Sequence, residues 1–143
     1  MVALERASES LSSYDQAISL KSDDPKFYKD RGVARYECGL AHQAMSDFEK
    51  AIELTPTDSS LFTYIGIVFN ELRAFDKAIQ AFDKAVEIEP GNAKALYSRG
   101  ESLINLDRVD DALASVNNAL EICPDLEAAM VLRGDLLIRL DKP

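Results

Sequence analysis

One histidine, His42, two cysteines, Cys38 and Cys123, and 25 Asp and Glu residues are the side chains of this 143-residue sequence that could hold a metal, attack an electrophile or relay a proton. A metal site needs such ligands at short, fixed spacings, because they must converge on one ion from one or two elements. Cys38 and Cys123 stand far apart in apolar surroundings, neither belongs to a C-x-x-C pair, and His42 has no second histidine to join it. The thiols read as buried side chains kept reduced, not as a disulfide or a metal site. His42, at the start of an expected helix, reads as a surface or capping residue. No phosphate-binding glycine loop and no nucleophile elbow occurs. The carboxylates fall in "EK", "DK" and "DD" steps, the pattern of a solvated helix face. The expectation is a chain that is not an enzyme and needs no cofactor or metal.

Composition narrows the partners. Hydrophobic residues make up 47% and charged residues 29% of the chain, a balance that folds. The formal net charge is -9, which argues against nucleic acid and anionic membrane, since both ask for a basic face to neutralise phosphates. No apolar run approaches the roughly 18 to 20 residues of a membrane span, and the start "MVALERASES" lacks the basic and apolar stretches of a secretory signal. A cytoplasmic location and no membrane insertion are expected.

The organisation that must position any binding residues is a repeat. Gly32, Gly66, Gly100 and Gly134 recur at one constant interval, and Pro56, Pro90 and Pro124 recur at the same interval. Ala44, Ala78 and Ala112, then Phe48, Phe82 and Val116, then Ala51, Ala85 and Ala119 keep the same register. Each unit holds two apolar patterns of period 3.6 around a short polar break, for example Phe62, Ile65, Phe69 and Leu72 followed by Ala78, Ile79, Phe82, Ala85, Val86 and Ile88. That is a helical hairpin. Asp24, Asp58 and Asn92 sit where a short side-chain oxygen can cap the first helix, and Pro25 fits a first helical position. The prolines stop the second helix. Helices are expected near 25–38, 41–54, 59–72, 75–88, 93–106, 109–122 and 127–140, within units 25–58, 59–92 and 93–126. Residues 1–24 hold the second helix of a preceding half unit, and 127–143 the first helix of a fourth.

A glycine inside a helix costs about 1 kcal/mol relative to alanine, so its recurrence asks for a compensating gain. If the two helices fold back on each other, Gly66 is expected to face Ala78, with Gly32 on Ala44 and Gly100 on Ala112, small residues that let the backbones approach. Phe48, Phe82, Ala51 and Ala85 are then expected on the face toward the next unit. Arg31 precedes its glycine, and the acid Asp47 precedes Phe48 in the first unit alone, so an Arg31 to Asp47 ion pair is expected to link the two helices.

On these columns the chain resembles the tetratricopeptide repeat family over nearly its whole length. The resemblance implies an all-α fold, hairpins stacked as a right-handed α-solenoid, whose first helices line a concave groove that holds a protein or peptide partner. It places in that groove Lys26, Lys29, Val33 and Tyr36, then Thr63, Tyr64, Ile67 and Asn70, then Lys94, Tyr97, Ser98 and Glu101. Tyrosines at the centre could stack on an extended segment while the lysines meet its acidic groups. One form of the family grips a partner's C-terminal carboxylate with two Lys, two Asn and an Arg. Here Lys29 and Lys94 match, but Val33, Tyr64 and Ser98 replace the others, so that clamp is not expected. Met130, Val131, Leu132, Leu136, Leu137, Ile138 and Leu140 make the last helix apolar on more than one side. Self-association through 127–140 is therefore one alternative function, and service as the targeting arm of a larger enzyme another.

Overall fold

The computed structural model describes residues 2–141, apart from the side chains of Val2 and Leu4. Met1, Lys142 and Pro143, the outer ends of the first and last stretches expected above, lie outside the described residues. Eight α-helices follow one another: α1 (Val2–Leu20), α2 (Pro25–Glu37), α3 (Ala41–Leu54), α4 (Ser59–Glu71), α5 (Phe75–Ile88), α6 (Ala93–Asn105), α7 (Val109–Ile122) and α8 (Glu127–Leu140). Neighbours in sequence pack as neighbours in space, most extensively as the hairpins α2/α3, α4/α5 and α6/α7. The protein is an all-α helical repeat solenoid.

The helix ends follow from local chemistry. Asp24 accepts from Lys26 N–H at 3.0 Å, Asp58 from Leu61 N–H at 3.3 Å and Asn92 from Ala95 N–H at 2.9 Å, each satisfying a donor that has no partner inside the helix. The first helices α2, α4 and α6 stop one residue short of the expectation. Gly39, Arg73 and Asp107, spaced by the same interval as the helix glycines, take left-handed φ values of 79°, 59° and 57°. That turn lets the N–H of Leu40, Ala74 and Arg108 reach back to the carbonyls of Arg35, Phe69 and Leu103 at 2.8, 2.8 and 2.9 Å. Glycine takes this conformation freely, whereas Arg73 and Asp107 hold it at a cost of about 1 kcal/mol or more.

The core is where the two helices of a hairpin cross. Ala44, Phe48 and Ala51 of α3, Ala78, Phe82 and Ala85 of α5, and Ala112, Val116 and Ala119 of α7 are all fully buried. The nearest neighbours of the glycines are not the alanines expected opposite them but the large side chains of the second helix. A Cβ on Gly32 would lie 2.6 and 2.8 Å from the Phe48 ring, and one on Gly66 would lie 2.7 Å from two carbons of the Phe82 ring. On Gly100 it would lie 2.8 Å from Val116 Cγ2, with the Ala112 carbonyl next at 3.4 Å. The compensating gain is thus a seat for a large side chain within the hairpin. The aromatic column, expected to face the next unit, meets its own first helix, although Phe48 also stacks on Tyr64 of the next.

The Arg31 to Asp47 pair is present and bidentate, Nε to Oδ2 at 3.0 Å and Nη2 to Oδ1 at 2.6 Å. Asp47 is 3% exposed and also accepts from Arg35 Nη1 at 2.8 Å. Arg31 reaches back to Asp15 of α1 at 2.8 Å, and Arg99 reaches back in the same register to Asp83 of α5 at 2.6 Å. Arg31 and Arg99 therefore each tie a unit to the helix before it, and Ile65 stands in the same column between them.

Two contrasts test this packing by chemical denaturation. Gly66→Ala is expected to destabilise the fold by about 1 kcal/mol, since overpacking against a fully buried ring, about 1 to 3 kcal/mol, outweighs the helix-propensity gain. Gly134→Ala, where a Cβ meets nothing within 4 Å, is expected to stabilise by up to about 1 kcal/mol. Asp47→Asn leaves two arginines without their buried counter-charge and is expected to cost about 2 to 3 kcal/mol, below the figure for a fully buried pair. Asp83→Asn, at an exposed pair, is expected to cost less than about 1 kcal/mol.

Candidate functional site

The first helices α2, α4 and α6 pack against one another more closely than the second helices α3, α5 and α7 do. The stack therefore curves toward the first-helix side, and that side is the candidate groove.

Its centre is Tyr64. The ring is half-buried and stacks on Phe48 of the preceding unit, centroids 5.9 Å apart and planes 18° apart. Lys94 Nζ of the following unit lies 5.1 Å from its centroid, a cation over a π face. Val33, one turn further along α2, is half-buried against the same cluster as Tyr64, and Ile67, one turn further along α4, is half-buried against the neighbouring cluster. Tyr64 is thus held from both sides by side chains of other units.

The edge nearest the helix N-termini is polar and largely self-satisfied. Lys29 Nζ donates to Asp58 Oδ2 at 2.8 Å and to Ser60 Oγ at 2.9 Å, and Ser60 donates to Asp58 Oδ1 at 2.6 Å. Burial acts to raise the Asp58 carboxyl, but the bonds from Lys29 and Ser60 outweigh it and hold the group below its ordinary value. Lys26 is exposed and forms no ion pair among the described residues. Pro25, Lys26, Lys29 and Asp58 border a cavity of about 140 Å³ between the first two units.

Thr63 and Ser98 are buried, 4% and 5% exposed. Thr63 Oγ1 donates to the Ser59 carbonyl at 3.0 Å, and Asn92 Nδ2 donates to Thr63 Oγ1 and Ser59 Oγ at 2.9 and 2.8 Å. Ser59 Oγ in turn donates to the Ala85 carbonyl at 2.8 Å. Asn92 therefore caps α6 and joins it to α4 with one side chain.

The opposite edge carries phenols on carboxylates. Tyr36 OH donates to Glu71 Oε1 at 2.8 Å across the first two units, and Tyr97 OH donates to Glu101 Oε1 at 3.0 Å within α6. Burial first, then the partner glutamate, pushes each phenol up from 10.0 to about 12. Asn70 accepts from Ser102 Oγ at 2.6 Å. Asn70, Glu71, Arg73, Phe75, Glu101 and Asn105 enclose a cavity of about 300 Å³ at this rim.

Phe48, Ser59, Ser60, Glu71 and Ser102 shape the groove without having been singled out as groove residues. For Phe48 and Glu71 the signal was present in the constant period, since Phe48 leads into Tyr64, and Glu71 lies one unit and one residue beyond Tyr36. The remaining reactive groups stay apart. His42 is exposed near the start of α3, whose N-cap position, Leu40, makes no side-chain bond. Cys38 and Cys123 are free and half-buried, not fully buried as expected. Cys123 Sγ donates to Asp125 Oδ1 at 3.1 Å, a bond that raises its thiol pKa. Among the described residues no group of three or more His, Cys, Asp or Glu side chains is placed to hold a metal, and no helix is long and apolar enough to cross a membrane.

Helical hairpins on one constant period, closed by glycine against an aromatic or branched side chain, define a class of helical repeat proteins. Two tetratricopeptide repeat models match the sequence, over residues 71–139 and 27–58. The chain belongs to the tetratricopeptide repeat family. The Arabidopsis OM64 TPR domain is similar in structure, 28% identical, covering 78% of this chain and 93% of that one with a TM-score of 0.76. The first TPR of Spaghetti (RPAP3), bound to the HSP90 peptide SRMEEVD, is 20% identical, covering 82% of this chain and 94% of that one with a TM-score of 0.80. MamA residues 41 to the end from Desulfovibrio magneticus RS-1 is also 20% identical, covering 96% of this chain and 79% of that one with a TM-score of 0.86. No curated protein sequence matches.

The phenol–carboxylate pairs set a pH limit. A phenol whose folded pKa lies above its unfolded value adds stability at pH below 10, and that stability is lost as pH climbs from 10.0 toward about 12. Thermal unfolding of the native chain is expected to weaken over that window, and less so in the double variant Tyr36→Phe/Tyr97→Phe. The same variant is expected to lose the late-titrating part of the phenolate absorbance.

Proposed function

We propose that this chain is a protein-interaction scaffold that holds an extended polypeptide segment along the groove of α2, α4 and α6. The observation that carries the reading is Tyr64, an aromatic ring fixed at the middle of the groove by Phe48 behind it and Lys94 over it. A ring already immobilised loses little entropy on binding, so its contact with a partner side chain contributes more of its energy. Lys26 and Lys94 at one edge and Glu71 and Glu101 at the other give the groove a polarity, suited to a segment acidic toward the first edge and basic toward the second.

Of the two groove lysines that match the carboxylate-gripping form of the family, Lys29 is held instead by Asp58 and Ser60, and Lys94 lies over Tyr64. Val33, Tyr64 and Ser98 supply no amide or guanidinium there. The segment is therefore internal to its protein, not a chain end.

A peptide library offered with free and with amidated C-termini tests both parts. Binding is expected to fall about tenfold or more in Tyr64→Ala, the loss of one well-seated aromatic contact, and to be unchanged by amidation. Equal binding by Tyr64→Ala would move the site out of the groove, and dependence on a free C-terminus would restore a carboxylate grip.

The alternative of assembly through α8 draws on a separate observation. Met130, Val131, Leu137, Ile138 and Leu140 are exposed along one helix, an apolar patch of the kind that marks an interaction face.

A further inference from the structure

On the convex side each first helix is flanked by the second helix of its own unit and that of the unit before, and three columns of the repeat meet there. One column is Arg31, Ile65 and Arg99, the next Asp15, Glu49 and Asp83, and the third Asp47, Ala81 and Ser115. Where the arginine is present it spans to the acid of the preceding second helix, Arg31 to Asp15 at 2.8 Å and Arg99 to Asp83 at 2.6 Å. At the junction between the first two complete units the arginine is replaced by Ile65 and the acid of its own hairpin by Ala81, yet the acid of the preceding helix remains as Glu49. Glu49 is exposed and forms no ion pair among the described residues.

The smaller and less polar pair leaves space. A cleft of about 420 Å³ opens over α4, walled by α3 and α5, with Phe62, Ile65 and Phe69 as its floor. Ile65 is 7% exposed, but Phe62, Phe69, and Met45 and Ile52 on the α3 wall are only half-buried, so an apolar trough faces water. The walls carry opposite charge, Glu49 on α3 and Lys77 and Lys84 on α5. Both lysines are exposed; Lys77 Nζ lies 5.8 Å from the centroid of Phe69 and forms no ion pair among the described residues, and Lys84 reaches Glu87 at 3.5 Å. Every wall of the cleft belongs to the first two complete units.

We propose that this convex cleft docks an amphipathic helix of a partner protein, which seats apolar side chains on Phe62, Ile65 and Phe69 and brings an arginine to Glu49. The partner thereby supplies the guanidinium that the chain itself supplies to Asp15 and Asp83. Arginine suits the place better than lysine, because its planar fork lies along an apolar floor and turns two N–H groups to one carboxylate. A helix that carries apolar residues at successive turns has flanks on either side of that stripe, one basic toward Glu49 and one acidic toward Lys77 and Lys84. The cleft lies on the side of α4 away from the groove, so the two sites are independent and neither reading rests on the other.

The test reads fluorescence anisotropy of a labelled amphipathic helical peptide with leucines along one face, arginines on one flank and glutamates on the other. Two relatives of it carry glutamate in place of every arginine, or serine in place of every leucine. The native chain is expected to bind the arginine peptide about tenfold or more tighter than the glutamate relative, and the serine relative not at all. Ile65→Arg fills the cleft with the side chain found at Arg31 and Arg99 and is expected to abolish binding, with circular dichroism checking its helix content. Glu49→Lys, at an exposed position, leaves the floor intact and is expected to invert the preference between the arginine and glutamate peptides. Tyr64→Ala is expected to change none of this. The proposal is overturned if the native chain binds no peptide or binds the arginine and glutamate peptides equally, if folded Ile65→Arg keeps binding, if Glu49→Lys keeps the native preference, or if Tyr64→Ala loses binding. A native chain that sediments as a dimer beside a monomeric Ile65→Arg gives the cleft to a second copy and overturns it as well.

Discussion

The stack rests on a close approach that only a missing side chain permits. At Gly32, Gly66 and Gly100 the first helix presents bare backbone, and Phe48, Phe82 or Val116 of the second helix occupies the space a Cβ would take. A fully buried phenylalanine contributes roughly 1.5 to 3 kcal/mol by leaving water, more than the roughly 1 kcal/mol that glycine costs inside a helix. The balance favours the glycine only while the large side chain is there. Gly134 shows the other side of it, since no ring arrives there and the cost stands without a return.

Once hairpins are set, polar side chains join them, and they do so unevenly. Arg31 and Arg99 each reach back sixteen residues to an acid on the preceding second helix. Ile65 breaks that column, and the junction it leaves is an apolar cleft of about 420 Å³ floored by Phe62, Ile65 and Phe69. The groove side of the same junction compensates, because Lys29, Asp58 and Ser60 and the Tyr36 to Glu71 bond all cross between units one and two there. The first junction of complete units is thus held from its concave face and the second from both.

The helices were legible because several weak signals repeat in phase: caps at Asp24, Asp58 and Asn92, stops at the prolines, and a glycine column. The nearest neighbour of each glycine, Phe48, Phe82 or Val116, was not singled out because spacing along a sequence fixes which residues share a face, not how two helices rotate against each other. The left-handed turn was half hidden for a similar reason. Gly39 announces it, but Arg73 and Asp107 adopt the same backbone under the constraint of the carbonyls of Phe69 and Leu103. In the groove, columns found the first-helix residues but not their commitments. That Lys29 binds Asp58, or that Thr63 lies under Asn92, depends on side chains of a neighbouring unit, which period alone does not orient.

On the proposed function, those commitments decide what kind of recognition the groove can offer. A lysine already in a bond with Asp58 and a serine can engage a partner's carboxylate only by giving up contacts of similar strength, so the exchange yields little net affinity. The same holds for Tyr36 on Glu71 and Tyr97 on Glu101. What remains uncommitted is the part of Tyr64 that Phe48 and Lys94 leave exposed, the half-buried apolar Val33 and Ile67, and the exposed Lys26. Affinity must then come from stacking and apolar burial at the centre, with charge at the rims setting direction and rate of approach more than strength. On that reading the groove would select a segment by one or two well-placed side chains, which is why the ring between Phe48 and Lys94 carries the functional proposal.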